Sequence, residues 1–346
     1  MTMRRFYLLS SFISLAWVHV ECLSSVVRPP GAKKPDRVTS WTVPTRALTP
    51  PFPDGSCGGT VITIPAEDTY GIDVNLAGNT ALLPPRPIQV WLPPNYSSQA
   101  RYPVLYCHDG QNAMADASSW TGCSWRLTGA LVRLAEHNKL ACGTIPIVVM
   151  LPSADSDLVP GVRRRHVEYG DMSMPFARAH VDFVANTVKP VVDSMFSTYT
   201  SATDTSVIGT SLGGQASLHM LLRHSDKFGG AACLSPAFGP TTLNSLSDST
   251  HLLYSKKIYM DIGGDMEKTT VPWLDIMDHL TTDHWWNPGY WWLDTQLQSS
   301  VKAARDILNQ ANVVHGYHEY PGARHNERAW SQRIDKPLLH LYGHSE

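Results

Sequence analysis

Charge is scarce in this chain. Asp, Glu, Lys and Arg together make up 17% of its 346 residues, and the formal net charge is −2. Without a basic excess there is no electrostatic footprint for nucleic acid or for an anionic membrane surface, so neither partner is expected. No apolar run reaches the ~20 residues needed to span a bilayer, so no stable membrane insertion is expected. There is no HExxH and no paired-cysteine motif, and neither a metal nor another cofactor is expected. Internal repeats are missing as well. What is present in quantity is apolar side chain, 43% of the residues, enough for a sizeable core. Eleven tryptophans suit either a core or the walls of a ligand pocket, and their number alone decides nothing.

Cysteine is sparse too, with six residues, at positions 22, 57, 107, 123, 142 and 233. The N-terminus carries Arg4-Arg5 followed by an almost uncharged run from Phe6 to Val20, the layout of a signal peptide over residues 1–22 with cleavage after Cys22 or Ser24. Loss of Cys22 leaves five cysteines, an odd number, so at least one thiol of the secreted chain stays free or pairs with another molecule. Cys107 and Cys233 lie in apolar runs and read as inert core thiols, while Cys123 and Cys142 flank a helix and are candidates to pair. The chain is therefore expected in the secretory lumen or outside the cell.

Residues 23–56 are rich in proline and poor in periodicity, a linker or strap ahead of one domain over 57–346. Within that domain short apolar runs alternate with helical patterns. Strands are predicted at Thr60–Ile64, Ile88–Leu92, Val104–Cys107, Ile145–Leu151, Ser206–Ile208, Ala231–Leu234, Lys257–Ile262 and His315–Tyr320. Helices are predicted at Ser124–Asn138, Phe176–Phe196, Leu212–His224 and Thr295–Ala311. Such alternation implies an α/β fold: a three-layer sandwich with a mostly parallel central sheet and helices on both faces. Residues 273–293, with Trp285, Trp286, Trp291 and Trp292, break the alternation and read as an excursion before the last strand.

The chemistry concentrates at Gly209-Thr210-Ser211-Leu212-Gly213-Gly214. The motif follows the β-branched pair Val207-Ile208 and opens a helical pattern. A strand-to-helix turn that sharp holds the middle hydroxyl at the C-terminal edge of the sheet, as a nucleophile requires, although a serine there also serves as a plain helix cap. A serine hydroxyl needs a base, itself oriented by a carboxylate, and in this architecture the chain order is Ser, acid, His. Of the 15 histidines, His325 alone sits in a glycine-containing loop directly after a final strand. The loop after the strand ending at Ile262 carries two carboxylates, Asp265 and Glu267. An oxyanion needs two backbone donors, and the amide of Leu212 beside the nucleophile and that of Gln111, in the loop His108-Asp109-Gly110-Gln111-Asn112, are the candidates. Arg163-Arg164-Arg165 reads as a solvated run or one paired with Glu168, with anionic-substrate binding as the sharper alternative.

Four segments carry a family resemblance: Val90-Trp91-Leu92-Pro93-Pro94-Asn95-Tyr96; Tyr102-Pro103-Val104-Leu105-Tyr106 running into His108-Asp109-Gly110-Gln111-Asn112; the Ser211 elbow; and Gly322 to His325 with Asn326, Glu327 and Trp330. In these the chain resembles the putative-esterase (esterase D and enterochelin-esterase-like) branch of the α/β-hydrolases. The resemblance implies a serine carboxylesterase acting on a small-molecule ester, with Gln111 as the second oxyanion donor. It also favours Glu267 as the triad acid, three residues after Gly264, with Asp265 as the alternative. Asp109, Trp285, Trp291, Trp292 and Trp330 are the candidate pocket residues. An acyltransferase on the same scaffold and a non-catalytic binding protein are the competing readings.

Overall fold

The computed structural model of the chain describes residues 55–69, 83–119, 121–154, 156–160, 162–264, 293 and 295–344. The expected signal peptide, nearly all of the strap, Asp265, Glu267, Trp285, Trp291 and Trp292 lie outside the described residues.

β1 (Thr60–Ile64), β2 (Ile88–Leu92), β3 (Val104–His108), β4 (Ile147–Leu151), β7 (Thr205–Thr210), β8 (Gly230–Leu234), β9 (Lys257–Gly264) and β10 (Gly316–Pro321) form one sheet. Their spatial order is β1-β2-β4-β3-β7-β8-β9-β10. From β4 to β10 every neighbouring pair is parallel, while β1 and β2 are antiparallel to each other and β2 to β4. The inner strands β3, β4, β7 and β8 are buried along their whole length because both faces of the sheet are covered there, whereas the edge strand β10 is polar and partly exposed. Tyr106 and Val207 point into one core cluster, and their neighbours Leu105, Cys107 and Ile208 into the other. The expected α/β sandwich is the observed one.

Around the sheet lie α1 (Leu127–Glu136), α2 (Arg164–Glu168), α3 (Pro175–Phe183), α4 (Lys189–Met195), α5 (Leu212–Arg223), α6 (Pro240–Asp248), α7 (Gln298–Gln310), α8 (Glu327–Ser331) and α9 (Asp335–Tyr342). A short hairpin, β5 (Asp157–Val159) and β6 (Val162–Arg163), lies apart from the main sheet. The single helix expected over Phe176–Phe196 is interrupted by a π turn at Val184–Val188, just ahead of Pro190 in α4. Proline has no N–H to donate to the ladder, so the α register is not maintained there.

Cys107, Cys123 and Cys233 are free thiols. The expected pairing of Cys123 with Cys142 is therefore not formed. Burial raises the thiol pKa of both Cys107 and Cys233, as inert core thiols require.

Candidate active site

The elbow is built by close contact. β7 ends at Thr210 and α5 begins at Leu212, leaving Ser211 alone to turn the chain at φ 55°, ψ −124°. L residues rarely adopt that conformation, and it persists only where the surroundings over-determine it. Here they do so through the backbone: the Ser211 amide donates to Leu234 O at 3.0 Å, and its carbonyl accepts from the amides of Gly214, Gln215 and Ala237. The glycines of the motif are steric requirements. A Cβ on Gly209 would stand 2.3 Å from the backbone of Gly213, and one on Gly213 would stand 2.9 Å from a carboxylate oxygen of Asp109. The second contact also places the Asp109 loop against the first turn of α5.

That loop hangs from the end of β3, two strands' width from β8 and beside β7. Asp109 is left-handed at φ 54°, and its buried carboxylate is gripped by Arg165 through two bonds of 2.7 Å. The following Gly110 lies against the backbone of Met150 and Leu151, where a Cβ would meet atoms 2.5 Å away. Among the described residues, neither the Gln111 amide nor the Leu212 amide donates to a protein acceptor. Two unclaimed N–H groups, from the loop after β3 and from the start of α5, are what an oxyanion hole requires.

His325 reaches the same edge from the far side of the sheet. Its loop leaves β10 and is tied to β9 by a 2.9 Å bond from the Gly322 amide to Gly264 O. Gly263 must be glycine, since a Cβ would stand 2.6 Å from Ala323 O. Asn326 then caps α8 by accepting from the Ala329 amide at 3.0 Å, which turns the chain back over the sheet. Asn112, beside Gln111 in the loop after β3, donates to Glu327, two residues past His325, at 3.5 Å. The His325 ring meets Trp330 edge-on with centroids 5.0 Å apart. Burial, then the nearby guanidiniums of Arg333 and Arg165, lower the pKa of His325 to about 3 and hold it as neutral imidazole. The Ser211 elbow, the Gln111 loop and the His325 loop therefore share the C-terminal edge of the sheet.

Two candidate pocket residues have structural partners. Trp330 is buried in the core cluster behind the His325 ring, and Asp109 is committed to Arg165. The arginine run also resolves differently from the reading of its sequence. Glu168 takes its hydrogen-bonded ion pair from Arg86, at 2.5 and 3.3 Å, and Arg164 of that run acts on it only through its charge. Three features of the site have no local signature: the Asp109–Arg165 pair spans 56 residues, the Gln111–Ser153 pair 42, and the Asp261–Arg333 pair 72. Nothing in the sequence pairs their members, although Asp109 and Gln111 are themselves candidate site residues. Among the described residues no group of three or more His, Cys, Asp or Glu is placed to hold a metal ion, and no helix is long and apolar enough to cross a membrane.

The family model described as "Putative esterase" matches residues 80–341. The chain belongs to that esterase family. It is accordingly a carboxylesterase-type hydrolase. Solved structures are similar at the level of fold. The siderophore hydrolase EstA from Aspergillus nidulans is 19% identical, with a TM-score of 0.53 over 81% of this chain and 94% of that one. A CE1 ferulic acid esterase from Anaeromyces mucronatus is 17% identical, with a TM-score of 0.51 over 82% and 91%. The enterobactin esterase FES from Shigella flexneri is 14% identical, with a TM-score of 0.51 over 82% of this chain and 59% of that one. At these identities the likeness speaks to the α/β-hydrolase fold of the esterase.

Proposed function

We propose that this esterase cleaves a small carboxylic ester through an acyl-enzyme formed on Ser211. The observation that carries the reading is the strained backbone of Ser211 between β7 and α5, a conformation that a mere helix cap does not need. The Ser211 hydroxyl attacks the ester carbonyl while His325 accepts its proton. The carbonyl oxygen becomes the oxyanion and takes hydrogen bonds from the amides of Gln111 and Leu212. Collapse of the tetrahedral intermediate expels the alcohol, which receives the proton from His325. Water then repeats the sequence on the acyl-enzyme, releasing the acid and restoring Ser211. Glu267 is the carboxylate assigned to orient His325, with Asp265 as the alternative.

The fold neighbours frame the substrate panel: a feruloyl ester and an ester-linked siderophore, with short acyl esters as the baseline. The protein is proposed to act in the secretory lumen or outside the cell, on the strength of its basic and then apolar N-terminus. A fluorophosphonate probe should label the wild type and not Ser211→Ala, and the variant should lose ester turnover by up to ~10⁶ in kcat. Retention of a tenth of the wild-type rate by the variant would remove Ser211 from the mechanism. For the acid, Glu267→Gln should cost ~10⁴-fold in kcat and Asp265→Asn far less; the reverse order would transfer the role to Asp265.

A further inference from the structure

The Gln111 side chain has no part in the chemistry above, yet it is one of the most tightly specified groups at the site. Its Nε2 donates to Ser153 Oγ at 2.8 Å, and its Oε1 accepts from the Ser153 amide at 3.1 Å. Both ends of one carboxamide are thus bonded to the hydroxyl and the backbone amide of one residue. Ser153 is two residues past β4, the strand against which Gly110 is pressed. It is itself anchored, because the preceding carbonyl, Pro152 O, accepts from Arg86 Nε at 2.8 Å, and Arg86 is held by the buried carboxylate of Glu168. From the other side, Gln111 O accepts from Ser118 Oγ at 2.8 Å. The residue is fastened at its side chain and its carbonyl, and only its N–H is left without a protein acceptor among the described residues.

We propose that Gln111 and Ser153 form a positioning clamp that aims the Gln111 amide at the oxyanion. The proposal rests on the acyl-enzyme reading, since it assigns that amide to the transition state. A donor made from a loop peptide is useful only if its plane is set before the charge develops. A displacement of about 1 Å at such a group costs ~10²-fold in rate. Elsewhere in the loop the backbone is constrained by sterics at Gly110 and by the bonds of Asp109; at Gln111 its own side chain adds to the Ser118 bond on its carbonyl. Substrate binding in the ground state does not call on the amide to the same degree. The clamp should therefore act on kcat and leave KM nearly unchanged.

The test uses the full-length protein with p-nitrophenyl butyrate as substrate and an aryl trifluoromethyl ketone as a probe that forms a tetrahedral oxyanion on Ser211. Ser153→Ala removes one of the two bonds, Gln111→Met removes both, and Ser153→Thr keeps both. The expected result is a loss in kcat of roughly tenfold for Ser153→Ala and 30- to 100-fold for Gln111→Met, with KM within a factor of about two. Affinity for the ketone should fall in parallel, and Ser153→Thr should retain wild-type kcat. Wild-type kcat and ketone affinity in both Ser153→Ala and Gln111→Met would overturn the clamp, as would a loss carried by KM. If Gln111→Met does not fold, Ser153→Ala and Ser153→Thr still decide the matter. Failure of the underlying reading looks different: the wild type itself would turn over no ester, or Ser211→Ala would remain active.

Discussion

Arg333 crosses from the segment behind His325 to Asp261 in the middle of β9, with its Nη2 and Nε 3.1 and 3.2 Å from the two carboxylate oxygens. Nη2 also donates to Ser235 Oγ at 2.7 Å, and the Ser235 amide donates to Asp261 Oδ1 at 3.0 Å. All three residues are buried. One ion pair therefore joins β9, the turn after β8 and the segment that follows His325. Breaking a buried pair leaves one charge without compensation and costs about 3–5 kcal/mol. Arg333→Met should lower stability by that amount in urea unfolding. The double variant Arg333→Met with Asp261→Leu should lose less than Arg333→Met alone.

Ser211 offers a test of strain that is separate from catalysis. At φ 55°, ψ −124° an alanine is as strained as the serine, whereas glycine tolerates the region. Both Ser211→Ala and Ser211→Gly should be inactive. Ser211→Gly should nevertheless be more stable than Ser211→Ala by about 1–2 kcal/mol, after allowance for the greater flexibility of glycine in the unfolded chain. Equal melting temperatures would mean that the elbow stores no strain.

The pH profile should report on the cations around His325. A general base must be neutral, and burial, Arg333 and Arg165 all disfavour its protonation, lowering its pKa to about 3. The acid limb of kcat/KM should therefore fall below the ordinary imidazole value of about 6.5. Arg165→Met removes a cation and leaves the Asp109 carboxylate uncompensated. Both changes favour the imidazolium, so the limb should move to higher pH whatever happens to the plateau. A limb that stays in place would show that Arg165 does not act on His325.

Acid should also weaken the fold, through histidines that take no part in the reaction. His108 and His219 are held neutral by burial, with pKa lowered to about 3 and about 4, and burial with His108 nearby takes His180 well below its ordinary value. In the unfolded chain all three titrate near 6.5. Between those limits the unfolded state binds more protons, so their contribution is complete above pH 6.5 and is lost as pH falls towards 3. The slope is up to about 1.4 kcal/mol per pH unit for each histidine. Neither ring nitrogen of His180 has a hydrogen-bond partner among the described residues. His180→Phe should raise stability at pH 7 by about 1–3 kcal/mol and flatten the acid dependence, as read from melting temperature between pH 4 and 8.

Much of the local structure around the candidate site is legible in the sequence. The Ser211 elbow is local: a β-branched strand end, three glycines and a helical pattern occupy the stretch from Val207 to Met220, and each constrains its immediate neighbours. His325 was legible from its place after the last strand, and Thr60–Ile64 and Ile88–Leu92 from apolar runs whose observed ends coincide with those read from the sequence. Elements with little apolar periodicity were not legible, among them α6, which opens on Pro240, and the two- and three-residue strands of the 157–163 hairpin.

What the residues alone could not decide is which polar groups meet. Glu168 stood five positions or fewer from three arginines and yet takes Arg86, 82 residues away. Cys123 and Cys142 flank one helix, and yet Cys123 is a free thiol. Asp109 with Arg165, Gln111 with Ser153 and Asp261 with Arg333 were equally open. A strand end or a tight turn is determined by sterics within a few residues, and those are written consecutively. An ion pair or a side-chain clamp depends on which strands lie side by side and at what register, and the sheet order β4-β3-β7-β8-β9-β10 exists only once the chain has folded.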